Sequence, residues 1–141
     1  MVDARAERTA EQLHSAAIRL LRMVRRQDAA SGLSAPRLSA LSVVVFAGPL
    51  SLAELAAEEQ VRAPTMTRIV DALVAGGLVT REQRAEDRRM VRIAATEEGR
   101  RLLDEGRRRR LAAIGERLGR LAESERRALE RGVELIERLT R

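Results

Sequence analysis

Two adjacent arginines, Arg88 and Arg89, follow two carboxylates, Glu86 and Asp87, in the run EDRRMVRIAATEEG at 86–99. Guanidinium groups on a polar connector are suited to meeting phosphate. In a narrow minor groove they meet the most negative potential on a duplex. A second set lies upstream in RAPTMTR (62–68), where Arg62, Thr65, Thr67 and Arg68 supply hydroxyl and guanidinium donors. Side chains of this kind at the start of a helix reach base edges and phosphates in a major groove. From 62 to 92 there are seven arginines against four acids, net +3, whereas 51–61 holds three glutamates and no base, net −3.

Other chemistry is poorly provided for. With no Cys, disulfides, thiolate metal sites and cysteine redox sensing are excluded. His14 is the only histidine, so no transition-metal site is expected. There is no Tyr and no Gly-rich phosphate loop with its Lys, so neither catalysis nor a cofactor is expected. Acids such as Glu130 and Glu134, spaced in fours with Arg138, read as support for a helix. The four arginines of GRRRR (106–110) would point several ways on a helix. They read as a solvated face offset by Asp104, Glu105 and Glu116, with flanking phosphate contact as the alternative.

All 27 basic side chains are arginine, and the formal net charge is +6. That balance favours an acidic partner such as nucleic acid, although a GC-rich coding bias accounts for most of the missing lysines and for about half of the charge. Phe46 is the one aromatic in 141 residues, so the core must be built from small aliphatics, and burial between subunits would supplement it. No apolar run approaches a membrane span, and the charged N-terminus MVDARAERTAEQL lacks a signal core. A soluble cytoplasmic protein is the expectation.

The elements that must position these groups follow from periodicity and punctuation. Leu13, Ala17, Leu20, Leu21 and Val24 recur at threes and fours and predict a helix over 9–27. SGLSAP breaks it. A second helix is expected after a cap at Ser34 or Ala35, with Pro36 in its first turn and Gly48-Pro49 at its end; it is apolar nearly all round and should be buried. SLAE at 51–54 is a capping box opening a short helix to 58. Pro64 marks a further helix to Ala75, stopped by Gly76-Gly77, with Met66, Ile69, Val70 and Leu73 toward the core. The period then changes to two. Residues 78–84 and 90–94 read as strands, with Val91 and Ile93 alternating with Met90 and Arg92. Thr96 caps a long helix to about Leu118, and a last helix over 124–139 aligns Leu129, Val133, Ile136 and Leu139.

Helices followed by a two-stranded hairpin make a winged helix-turn-helix. The stretch from Leu50 to Leu103 resembles the DNA-binding core of MarR-type (multiple antibiotic resistance regulator) proteins. The marks are TRIVDALVAGGLV, the wing DRR (Asp87, Arg88, Arg89) and IAATEEG. One departure is Ala95 before Thr96, where the family has Leu. The resemblance implies a mainly α fold with a small β-hairpin wing, dimeric through N- and C-terminal helices. One domain would span 1–141: a core at 34–96 with the helix-turn-helix at about 51–75 and wing at about 78–94, and dimerisation helices at 5–30 and 97–141.

It further implies a homodimeric repressor on a palindromic double-stranded DNA operator, released by a small organic effector, often an aromatic anion. Thr65, Thr67 and Arg68 would then carry recognition-helix contacts, with Arg62 at the helix start. Arg89 would be the wing-tip arginine entering the minor groove and Arg88 a nearby phosphate contact. Asp71 and Asp87 would hold these arginines by salt bridges. His14, Ile18 and Phe46 are candidate effector-lining residues between the first, second and fifth helices. The rival reading is a winged-helix module for protein contact or nonspecific architectural DNA binding.

Overall fold

The computed structural model describes residues 3–83, 86–87 and 89–141. Along the described chain run α1 (Ala4–Arg25), α2 (Ala35–Ala47), α3 (Leu52–Glu58), α4 (Ala63–Ala75), β1 (Val79–Gln83), β2 (Val91–Ala95), α5 (Glu97–Leu118) and α6 (Glu123–Leu139). Helix α1 begins five residues before the predicted start at residue 9, because Asp3 caps it: its carboxylate accepts the Arg5 N–H at 3.1 Å. The helix ends at Arg25 in a 3-10 turn, Arg26–Ser31, closed by Gly32 in the left-handed region. The cap of α2 is Ser34, with Pro36 in its first turn.

The capping box of α3 forms as its sequence predicts. Ser51 Oγ accepts the Glu54 N–H at 3.1 Å, and the Glu54 carboxylate accepts the Ser51 N–H at 3.1 Å. Half of such a box starts α6, where the Glu125 carboxylate accepts the Ala122 N–H at 2.9 Å and alanine offers nothing in return.

The core is small and aliphatic. Leu41, Val44, Leu55, Met66, Val70, Leu73, Val79 and Ile93 have almost no exposed surface. They come from α2, α3, α4 and both strands, so one apolar centre holds helix-turn-helix and hairpin together. Helix α2 is not buried all round. It turns Ala40, Leu41 and Val44 inward, while Phe46 lies off that stripe and is 80% exposed.

The strands pair antiparallel, Val79 opposite Ala95 and Gln83 opposite Val91. The expected alternation holds at Ile93, which is buried, but Val91 is exposed because the hairpin has passed the edge of the core by then. Leu50 clamps β2 from the other side: its N–H donates to Ile93 O at 3.1 Å, and Ile93 N–H returns to Leu50 O at 2.7 Å.

Thr96 joins hairpin to α5. Its hydroxyl donates to Gly77 O at 2.7 Å and accepts the Gly99 N–H at 3.1 Å, while its own N–H donates to Leu78 O at 3.1 Å. A Cβ on Gly99 would stand 2.2 Å from Leu78 O, so only glycine lets the first turn of α5 approach this closely. The turn itself needs Gly77, whose φ is +70°. Helix α6 makes no substantial packing against any other element among the described residues. No single described helix is long and apolar enough to cross a membrane.

Candidate nucleic-acid interface

Helix α4 divides cleanly into two faces. Met66, Val70 and Leu73 are buried and Ile69 is half-buried. Thr65, Arg68 and Asp71 lie outward at spacings of three, together with Arg62 at the N-cap. The Arg62 side chain makes no capping bond, and no ion pair engages Arg62 or Arg68 among the described residues. Thr67 differs from its neighbours. It is half-buried, and its hydroxyl donates back to Ala63 O at 2.9 Å, which leaves only acceptor capacity toward an outside group.

The hairpin brings Arg89 beside this helix. Arg89, Met90, Val91 and Arg92 form one wall of a cleft of about 420 Å³; Ser51 to Glu54 form the other, and Ala63 at the start of α4 closes it. Arg89 is exposed, and its N–H donates to the Asp87 carboxylate at 2.9 Å. Asp87 therefore shapes the turn through the backbone. Arg88 lies outside the described residues.

Asp71 does not reach the wing tip. Its carboxylate pairs with Arg81 on β1. The reversal at Gly76-Gly77 lays β1 back along α4, so Arg81 comes level with Asp71, and at about 3.3 Å per residue Arg89 stands far beyond it. The pairing expected of Asp71 with Arg89 is thus replaced by one with Arg81, a residue that periodicity did not single out.

The arginines of GRRRR separate. Arg107 and Arg108 are exposed, the latter paired with Asp104 one turn back. Arg109 and Arg110 lie half-buried on the inner stripe of α5, and Arg110 donates to Asp28 of the 3-10 turn at 2.7 Å. This pair ends a cavity of about 540 Å³ between the α1–α2 junction, α2 and α5, lined also by Arg25, Leu33, Leu38, Ser42 and Leu103. The three elements are those expected for an effector pocket, but His14, Ile18 and Phe46 are not in its lining. His14 and Ile18 sit on the stretch of α1 before Met23, which is exposed throughout, and Phe46 is on the outer side of α2. Asp28 and Arg110 are 82 residues apart, a pairing that spacing cannot reveal. No group of three His, Cys, Asp or Glu residues suited to a metal occurs among the described residues.

Residues 33–91 match the model of the MarR family. Over 136 residues the chain is 36% identical to an HTH-type transcriptional regulator of Mycobacterium tuberculosis, covering 96% of this chain and 94% of that one. The chain belongs to the MarR family. It is a DNA-binding transcriptional regulator of that family with a winged helix-turn-helix. Two solved structures show the same fold. A MarR family protein from Bacillus stearothermophilus matches with a TM-score of 0.77 at 24% identity, over 100% of both chains. A mutant MepR of S. aureus, bound to an oligodeoxyribonucleotide, matches with a TM-score of 0.76 at 14% identity, over 94% of this chain and 98% of that one. This MarR chain places its two-stranded wing directly after α4.

Proposed function

We propose that this MarR chain is a cytoplasmic homodimeric repressor that binds a palindromic operator and is released by a small organic molecule. The observation that carries the DNA-reading part is the outward row of Arg62, Thr65 and Arg68 on α4, with Arg89 across the cleft from the start of that helix. In this reading α4 enters the major groove, Thr65, Thr67 and Arg68 meet base edges or phosphates, and Arg62 meets phosphate. The wing lays Arg89 into the adjacent minor groove, with Arg88 as a phosphate contact. The oligonucleotide held by MepR supports the reading by likeness of fold.

Dimerisation is supported by apolar surface. Leu129, Val133 and Ile136 recur along an α6 that packs on little else, and Leu13, Leu20 and Leu21 are exposed on α1. The chain would act as a single domain over 1–141, its core at 34–96 and its dimerisation helices at 5–30 and 97–141. The effector would occupy the cavity beside Arg25 and Arg110, where two cations against the single Asp28 carboxylate leave positive charge that suits an anion and the leucines suit an apolar body. His14, Ile18 and Phe46 then bear on it only through the partner subunit.

The test is binding to the protein's own upstream DNA against random duplex at physiological salt. A specific regulator prefers the former by roughly 10³-fold or more. Equal affinity for both would replace this reading with an architectural one.

A further inference from the structure

The cleft between wing and helix-turn-helix contains an arginine that the recognition residues leave unused. Arg92 sits on β2, 26% exposed, with its Nε buried and without a hydrogen-bond partner. Among the described residues its one ionic neighbour is Glu54, and that contact is long, 3.9 Å from Nη2 to Oε2. The same Glu54 oxygen already accepts the Ser51 N–H at 3.1 Å. Glu54 is therefore committed to the cap of α3 and only loosely to Arg92. The guanidinium thus keeps one buried N–H without a partner and makes only a long ionic contact at the wall of an open cleft. The wall is fixed, since the Leu50–Ile93 hydrogen bonds clamp β2 one residue away. Arg89 shares the lining and adds a second cation.

We propose that Arg92 is a further DNA-phosphate ligand, seating a backbone phosphate in this cleft, and that Glu54 is the counter-ion holding it until DNA arrives. The inference rests on the DNA-binding reading above. It differs from a simple wing brace in sign. A brace requires Glu54 and Arg92 to help binding together. A counter-ion that competes with phosphate opposes what Arg92 contributes.

The experiment measures affinity for operator and random duplex across a salt series for wild type, Arg92→Gln, Arg92→Lys and Glu54→Gln. Each phosphate contact steepens the log–log salt dependence by about 0.9. Arg92→Gln should flatten it by about one unit per protomer and weaken operator and random duplex alike. Arg92→Lys keeps the charge and should keep the slope, which shows that the fold survives substitution there. Glu54→Gln preserves the capping box, because glutamine serves at that position, and should tighten random-duplex binding several-fold. An unchanged slope in Arg92→Gln overturns the proposal, as does weakening by Glu54→Gln in parallel with Arg92→Gln. A wild-type protein that binds neither duplex would overturn the DNA-binding reading itself.

Discussion

Arg68 and Arg89 lie on two different elements, and in the proposed DNA-binding reading their removal should have different signatures. Arg68 projects from the second turn of α4, within reach of base edges. A good bidentate base contact discriminates by about 1–3 kcal/mol, so Arg68→Ala should narrow the gap between operator and random duplex in a binding titration. An equal loss on both would make it a phosphate contact. Arg89→Ala should leave the melting temperature almost unchanged, because the side chain is exposed, yet remove sensitivity to A/T-rich operator flanks. Wild-type behaviour on both A/T-rich and G/C-rich flanks would make the wing structural only. Both residues were legible in the sequence as arginines at the start of a helix and at the tip of a connector. The partner of Asp71 was not, because the reversal at Gly76-Gly77 decides which β1 residue falls level with it. That exposed pair contributes only about 0–1 kcal/mol. Asp71→Asn should therefore barely move the thermal midpoint, while freeing Arg81 should raise affinity for random duplex.

Among the elements, the start of α5 is the joint on which the wing depends. Thr96 serves the Gly77 carbonyl, the Leu78 carbonyl and the Gly99 amide at once. Thr96→Val keeps the shape and removes the hydroxyl, leaving a helix cap unmade, at a cost of about 1–2 kcal/mol in a denaturant titration. Gly99→Ala forces a methyl against Leu78 O and should cost roughly 1–3 kcal/mol, with the hairpin displaced. A Gly99→Ala protein as stable as wild type would show that α5 can shift without loss. The Thr cap of TEEG could be read from the sequence; the close approach that demands its glycine could not, since it involves a carbonyl 21 residues earlier. Capping explains the α1 boundary as well. Asp3, well ahead of the apolar stripe, starts a helix that periodicity would begin at residue 9.

For the whole molecule, the apolar stripe of α6 was plain in the sequence, and the structure leaves it exposed. The double substitution Val133→Glu, Ile136→Glu should yield a monomer by light scattering that no longer binds operator. A dimer that survives it would move the interface elsewhere. The cavity beside Arg110 was legible only as a meeting of three helices, because its lining depends on the Asp28–Arg110 pair, which joins residues 82 apart in the sequence. Helix α5 runs from that wing joint, past that cavity, to the foot of α6, unbroken for 22 residues. At 1.5 Å per residue it is a rod about 33 Å long. Held at the α6 end and tilted by about 5°, such a rod carries its far end through about 3 Å, roughly a tenth of the 34 Å repeat of a duplex. In the proposed dimer, a ligand wedged beside Arg110 would thus dephase two reading heads from a helical ruler, with no element unfolding and no contact to the nucleic acid touched directly.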